Sequence, residues 1–259
     1  MKLGMPTLVE FSSLEENIDL CTKLGLGFVE LNMDLPYCMP DSGIDWKKIR
    51  SECDIDFTVH LSEKLQVGEI YEDAREKQME IIKNAINYYK NEADIRKFNL
   101  HLDQGVYFTL PDEKAYIFEK YEQKYSEAID KSFRDLSDFA SKVGVEIYFE
   151  NTKITGFIAK SFEKIKAYDN LYCTLDVGHN AKDGYLAEDV LMHMSDMIRH
   201  MHIHDFDGKK GHKELGSGLI DVKKYLEFCR SKNIYAVIEI KRMQELVNSI
   251  EYLKREKLM

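Results

Sequence analysis

Eight short runs rich in β-branched and aromatic residues recur along this chain, at residues 3–8, 28–31, 57–61, 98–102, 146–150, 172–176, 198–204 and 235–240. Helical patterns fill the spaces between them. Strand–helix alternation of this kind favours a parallel sheet, and eight strands close most economically into a barrel. The chain's 259 residues allow about 32 per unit, the size of one strand-plus-helix repeat. The doubly wound open sheet competes, but no G-x-G-x-x-G follows the first run and no P-loop is present. The expectation is an α/β fold, a single (β/α)8 TIM barrel over residues 1–259 with its site at the C-terminal ends of the strands.

Local signals agree. Ser13-Leu14-Glu15-Glu16 has the form of a capping box. Met79, Ile82, Ile86 and Tyr89, and again Met243, Leu246, Ile250 and Leu253, follow the spacing of one helix face. Such stripes read as core. Pro111-Asp112-Glu113 reads as a helix start before a long segment reaching Val143.

The placement of polar residues points to chemistry. A parallel strand buried on both faces should be almost continuously apolar. Six runs instead finish with a carboxylate or an imidazole: His60, His101, Glu150, Asp176, His202 and Glu239, at spacings of 41, 49, 26, 26 and 37 residues. In a barrel these ends share one mouth. Acidic groups converging in a low dielectric need a cation, and mixed oxygen and nitrogen ligation suits Mn, Co, Zn or Mg alike. Any one of these residues, taken singly, is equally well a buried group satisfied by backbone. Six at successive strand ends favour a shared site. His200 and His204 alternate with His202 and should share its face, whereas His193 reads as an ordinary surface or packing residue.

Composition narrows the classes. The net charge of −10 disfavours indiscriminate nucleic-acid binding. No stretch approaches the roughly 20 apolar residues of a membrane span. The five scattered cysteines contain no C-x-x-C pair, which argues for a reducing, cytoplasmic setting.

Glu150-Asn151, Leu175-Asp176-Val177-Gly178-His179, Met201-His202-Ile203-His204-Asp205, Ile238-Glu239 and the turn His212-Lys213-Glu214-Leu215-Gly216-Ser217-Gly218 together resemble the xylose isomerase-like TIM-barrel superfamily. That superfamily includes sugar epimerases, ketose isomerases, dehydratases and endonuclease IV. The resemblance implies one divalent ion held by Glu150, Asp176, His202 and Glu239. It also implies a sugar or sugar-phosphate isomerase or epimerase in which Glu150 and Glu239 move protons through an enediolate. Lys153 and Lys241 lie where they could meet a phosphate or carboxylate. A dehydratase on a related polyol or keto acid is the second reading.

The third is an endonuclease IV-like zinc phosphodiesterase. His60, His101, His179 and His212 match positions that hold additional zinc in that enzyme. One further aspartate of that set is replaced by Lys210, with Asp205 or Asp207 as substitutes, and the start of the chain lacks the nuclease's His-containing opening. Small-molecule partners are therefore expected ahead of nucleic acid or membrane, and the sequence does not set the oligomeric state.

Overall fold

The eight runs fold as eight parallel strands, described over all 259 residues by a computed structural model. In chain order they are β1 (Lys2–Pro6), β2 (Phe28–Asn32), β3 (Asp56–His60) and β4 (Lys97–Leu102); then a short antiparallel pair, β5 (Tyr107–Thr109) and β6 (Lys114–Tyr116); then β7 (Glu146–Asn151), β8 (Leu171–Asp176), β9 (Ile198–Ile203) and β10 (Tyr235–Ile238). The barrel closes in the order β1-β10-β9-β8-β7-β4-β3-β2, with the β5–β6 hairpin standing apart. Around it lie α1 (Leu14–Leu24), α2 (Trp46–Glu52), α3 (Glu72–Ala93), α4 (Ile117–Lys120), α5 (Glu122–Val143), α6 (Gly156–Ile165), α7 (Val177–Lys182), α8 (Leu186–Leu191), α9 (Val222–Lys232) and α10 (Met243–Arg255).

The helices start and stop where local chemistry directs. Ser13 caps α1 through the full reciprocal box with Glu16, a feature worth about 1 kcal/mol. Gly25 ends that helix at φ 78°, where a side chain would be strained. The stripe Met79, Ile82, Ile86 and Tyr89 is wholly buried. On α10, Leu246, Ile250 and Leu253 are buried, while Met243 at the first position is exposed.

Pro111 does not begin a helix. It sits in the turn of the β5–β6 hairpin, where Leu110 N–H donates to Glu113 C=O at 2.8 Å. Proline at the second position of a four-residue turn has its φ already set. The helical segment begins only at Ile117 and, after a break at Tyr121, continues from Glu122 to Val143.

The barrel departs from an apolar interior. Glu30, Thr58, Asn99, Thr174 and His200 are all buried in its strands and bond to one another and to Glu150. This polar layer lies beneath the strand ends. No helix is long and apolar enough to cross a membrane.

Candidate metal centre

Strand register brings the six strand-end residues together. His60 ends β3, Asp176 ends β8, and His101, Glu150 and His202 are the penultimate residues of β4, β7 and β9. Glu239 follows β10 directly, its N–H bonded to Ile203 C=O at 2.9 Å. One ligand atom each from Glu150, Asp176, His202 and Glu239 lies within 4.8 Å of the others, and all four residues are buried. His202 Nδ1 faces Glu150 Oε1 at 3.2 Å and Glu239 Oε2 at 3.8 Å.

The carboxylates are ionised for identifiable reasons. Burial pushes the Glu150 carboxyl up, but His202 and His101 more than offset it and hold it well below the usual range. Burial raises Glu239 too, and Lys241, His202 and His212 outweigh that. Asp176 is lowered by His179 and His204 against its own burial. The imidazoles answer in kind. Burial depresses His202, yet Glu150, Glu30 and Glu239 carry it well above its ordinary value. Against burial, Asp176 and Glu239 raise His204 to about 9, whereas burial takes His212 down to about 4.

Asp176 Oδ2, His202 Nδ1, His204 Nε2, His212 Nδ1 and Glu239 Oε2 are buried without a hydrogen-bond partner. Unpaired buried polar atoms of this number are costly. A divalent cation among Glu150, Asp176, His202 and Glu239 satisfies the first, second and last of them, so the donor set fits such an ion.

The other histidines ring this centre. His60 Nδ1 donates to Leu61 C=O at 2.8 Å, which leaves Nε2 facing Glu150 Oε2 at 3.2 Å. His101 Nε2 and His179 Nδ1 lie 3.6 and 3.8 Å from Glu150 Oε1. His212 Nδ1 lies 3.6 Å from Glu239 Oε2. His204 shares the inward face of His202, as alternation requires, and reaches Asp176 Oδ1 at 3.3 Å. His179, His204 and His212 converge on a second cluster of ring nitrogens. His193 is exposed and outside the site.

Above these groups opens a cavity of about 750 Å³ lined by, among others, His101, Lys153, His179, His212, Glu239 and Lys241. Lys153 is exposed there. Lys241 is not a free cation: its Nζ sits 2.5 Å from Glu239 Oε1. Of the two aspartates near Lys210, Asp205 is not free to ligate in its place. Asp205 is fully buried, with its carboxylate accepting N–H groups of Phe206, Gly216, Gly218 and Ile220. Asp207 accepts from the N–H groups of Lys209 and Lys210.

Strand ends alone do not reveal Glu30, two positions before the end of β2. It is 2% exposed and contacts both His200 and His202. Its signal is a carboxylate inside the apolar run Phe28-Val29-Glu30-Leu31. Asn99 and Thr174 carry a weaker one: Asn99 donates to Glu150 Oε2 and accepts from Thr174 Oγ1 at 2.6 Å.

Residues 18–256 match the family model described as xylose isomerase-like TIM barrel. The chain belongs to this family. A curated relative, an uncharacterised protein of Methanocaldococcus jannaschii, is 25% identical over 98% of both chains. Among solved structures, a D-tagatose 3-epimerase-like protein superposes with a TM-score of 0.76 at 24% identity, covering 100% of each chain. The IolI protein, crystallised with a bound zinc atom, gives a TM-score of 0.76 at 18% identity over 100% of this chain and 97% of that one. At these identities the structural likenesses speak to the shared fold. Within the family, this chain sets its quartet of oxygen and nitrogen donors under a cavity rimmed by three histidines and three lysines.

Proposed function

We propose that this protein is a divalent-metal-dependent isomerase or epimerase of a sugar or sugar phosphate. The observation that carries the reading is the buried Glu150–Asp176–His202–Glu239 quartet, with unpartnered atoms at the foot of an open cavity. The epimerase-like neighbour supports the substrate class, and the zinc in IolI supports a metal at such a site.

A bound divalent ion would supply Lewis acidity to a carbonyl and its neighbouring hydroxyl, making the adjacent C–H more acidic. The chain's own residues do the rest. Glu239 lines the cavity; its Oε2 turns toward the quartet as a ligand atom, and its Oε1, held by Lys241, is the oxygen left to receive a proton. It takes the α proton there. Glu150 stands on the opposite side, its Oε1 beneath the His101 and His179 rings; ionised at rest, it must take up a proton before it delivers one there, and the proton held by Glu239 is released in exchange. Its Oε2 is braced by Asn99 and His60, so the carboxylate keeps its orientation while charge moves. Asp176 is fixed by the His179 N–H at 2.6 Å, and with His202 it holds the ion. His101, His179 and His212 offer donors to substrate hydroxyls at the rim, and Lys153 faces an anionic end if the sugar is phosphorylated.

A lyase would use the same proton abstraction and then expel a hydroxyl. A zinc phosphodiesterase would draw on His60, but its Nε2 already faces Glu150 Oε2, and the four N–H groups on Asp205 remove one of the two carboxylates that could replace the aspartate missing at Lys210. The deciding experiment loads the chelator-stripped protein with single metals and assays a panel of ketoses, aldoses and their phosphates. Glu150→Gln and Glu239→Gln should each lose turnover with metal still bound. Full activity in either variant would overturn its assigned role. Water elimination would favour the lyase, and three zinc ions per chain with cleavage of abasic DNA the nuclease.

A further inference from the structure

Glu30 belongs to β2 and takes no part in the quartet, yet it meets one of the quartet's members from the far side. Register places it opposite Thr58 on β3, whose Oγ1 donates to Glu30 Oε2 at 2.9 Å. His200 Nε2 donates to the same oxygen at 2.9 Å. Glu30 Oε1 lies 2.7 Å from His202 Nε2, off the line of an ideal hydrogen bond. An ionised carboxylate only accepts, so a ring nitrogen this close to it must carry the proton. Two donors on Oε2 and a ring nitrogen beside Oε1 are the surroundings of an accepting carboxylate.

The consequence lies on the other edge of the ring. When an ion displaces one of the ring protons, the neutral imidazole keeps a single N–H, and with that proton on Nε2 the lone pair falls on Nδ1. Nδ1 is the atom that faces Glu150 and Glu239 and has no hydrogen-bond partner. The opposite tautomer would let Nδ1–H satisfy Glu150, but it would set a lone pair against Glu30 at 2.7 Å. Glu30 itself has little freedom to yield. Thr58 and His200 hold its second oxygen, and the His200 ring stacks on Tyr148 at 5.5 Å and 3°.

We propose that Glu30 is a positioning residue that holds His202 with its Nδ1 lone pair directed into the quartet and thereby sets the affinity of the site for a divalent ion. This rests on the metal-site reading above. Outer-shell carboxylates of this kind orient ligand histidines, and their loss costs about 10–100-fold in metal affinity.

The test titrates chelator-stripped wild type and Glu30→Gln with Mn²⁺ and Zn²⁺ against a chromophoric chelator. The glutamine has the same shape but can donate to Nε2, which releases the Nδ1 proton constraint. It should bind each ion about 10–100-fold more weakly. A merely structural role would lower the unfolding midpoint of the metal-free protein and leave affinity alone. Affinity within twofold of wild type therefore overturns the proposal. Histidine-selective ¹⁵N NMR of wild-type protein loaded with Zn²⁺ needs no variant: His202 should carry its proton on Nε2, and a proton on Nδ1 overturns it as well. Asp176→Asn separates the two readings. If it binds metal normally, the quartet reading fails. If it abolishes binding while Glu30→Gln does not weaken it, only the role of Glu30 falls.

Discussion

Asp205→Asn should damage this protein more than its conservative appearance suggests. The Asp205 carboxylate is fully buried and accepts four backbone N–H groups. Phe206 and Ile220 reach Oδ1 at 2.8 and 3.1 Å, and Gly216 and Gly218 reach Oδ2 at 3.0 and 2.8 Å. Replacing either oxygen with an amide nitrogen turns the acceptor of two of these N–H groups into a donor facing them. Hydrogen bonds to a charged group are worth about 1.5–3 kcal/mol each, so two lost bonds amount to about 3–6 kcal/mol. Relaxation of the exposed loop and water entry bring the expectation to the lower end, about 3 kcal/mol, against a total folding stability of about 5–15 kcal/mol. For a chain of this size that corresponds to a fall of about 6–12 °C in Tm. Urea unfolding of the metal-free proteins measures the loss, and hydrogen exchange over residues 206–220 locates it. That segment carries His212, whose backbone is held at φ 51°, so metal-free His212 should also lose its fixed place. Unfolding within 1 kcal/mol of wild type, together with unchanged exchange in the segment, would refute the reasoning.

Two further outcomes follow from the geometry. A Cβ built on Gly178 overlaps the His204 ring, so Gly178→Ala should expel that ring from the site, cutting turnover at least tenfold, while far-ultraviolet circular dichroism stays native; unaltered kinetics would show that His204 has room to spare. The metal-free protein should also lose stability as pH rises from about 6.5 to 9. Against burial, Asp176 and Glu239 raise the folded pKa of His204 to about 9, above the ordinary value of about 6.5. Its stabilisation is therefore complete below pH 6.5 and gone above 9, with an upper bound of ~3 kcal/mol. His60 and His202, also raised, add in the same direction. Saturating Mn²⁺ should flatten this alkaline decline, because the ion replaces protons as the positive charge among the carboxylates; a metal-free stability curve level from pH 6.5 to 9 would count against it.

The barrel and most of its site are legible from the chain because both obey short-range rules. Each strand is a short β-rich run between helical patterns, and six of the eight end in a residue type that burial alone does not explain. Where the reading goes astray, tertiary context is the reason. Pro111 carries the same local signal at a helix start as in a tight turn, and only the pairing of Tyr107 with Tyr116 decides between them. Glu30 escapes because it lies one layer below the strand ends, and its partners on β9 are 170 or more residues away. Asp205 offers ligand chemistry in sequence, but backbone amides from a loop that folds back over it consume that capacity. Composition assigns residues to a region, while the distribution of hydrogen bonds assigns their work.

The polar layer inside the barrel also bears on how the sheet closes. Side chains alternate sides along a strand, so a slip of one residue at β2 or β9 would drive Glu30 or His202 outward into the apolar helices and leave their partners bare. Each such error strands ionised groups in a dry environment, a penalty of several kcal/mol per group. A barrel lined only with valine and isoleucine would forgive the same slip far more readily. The polar residues gathered at and beneath the strand ends thus also disfavour misregistered barrels relative to the native one.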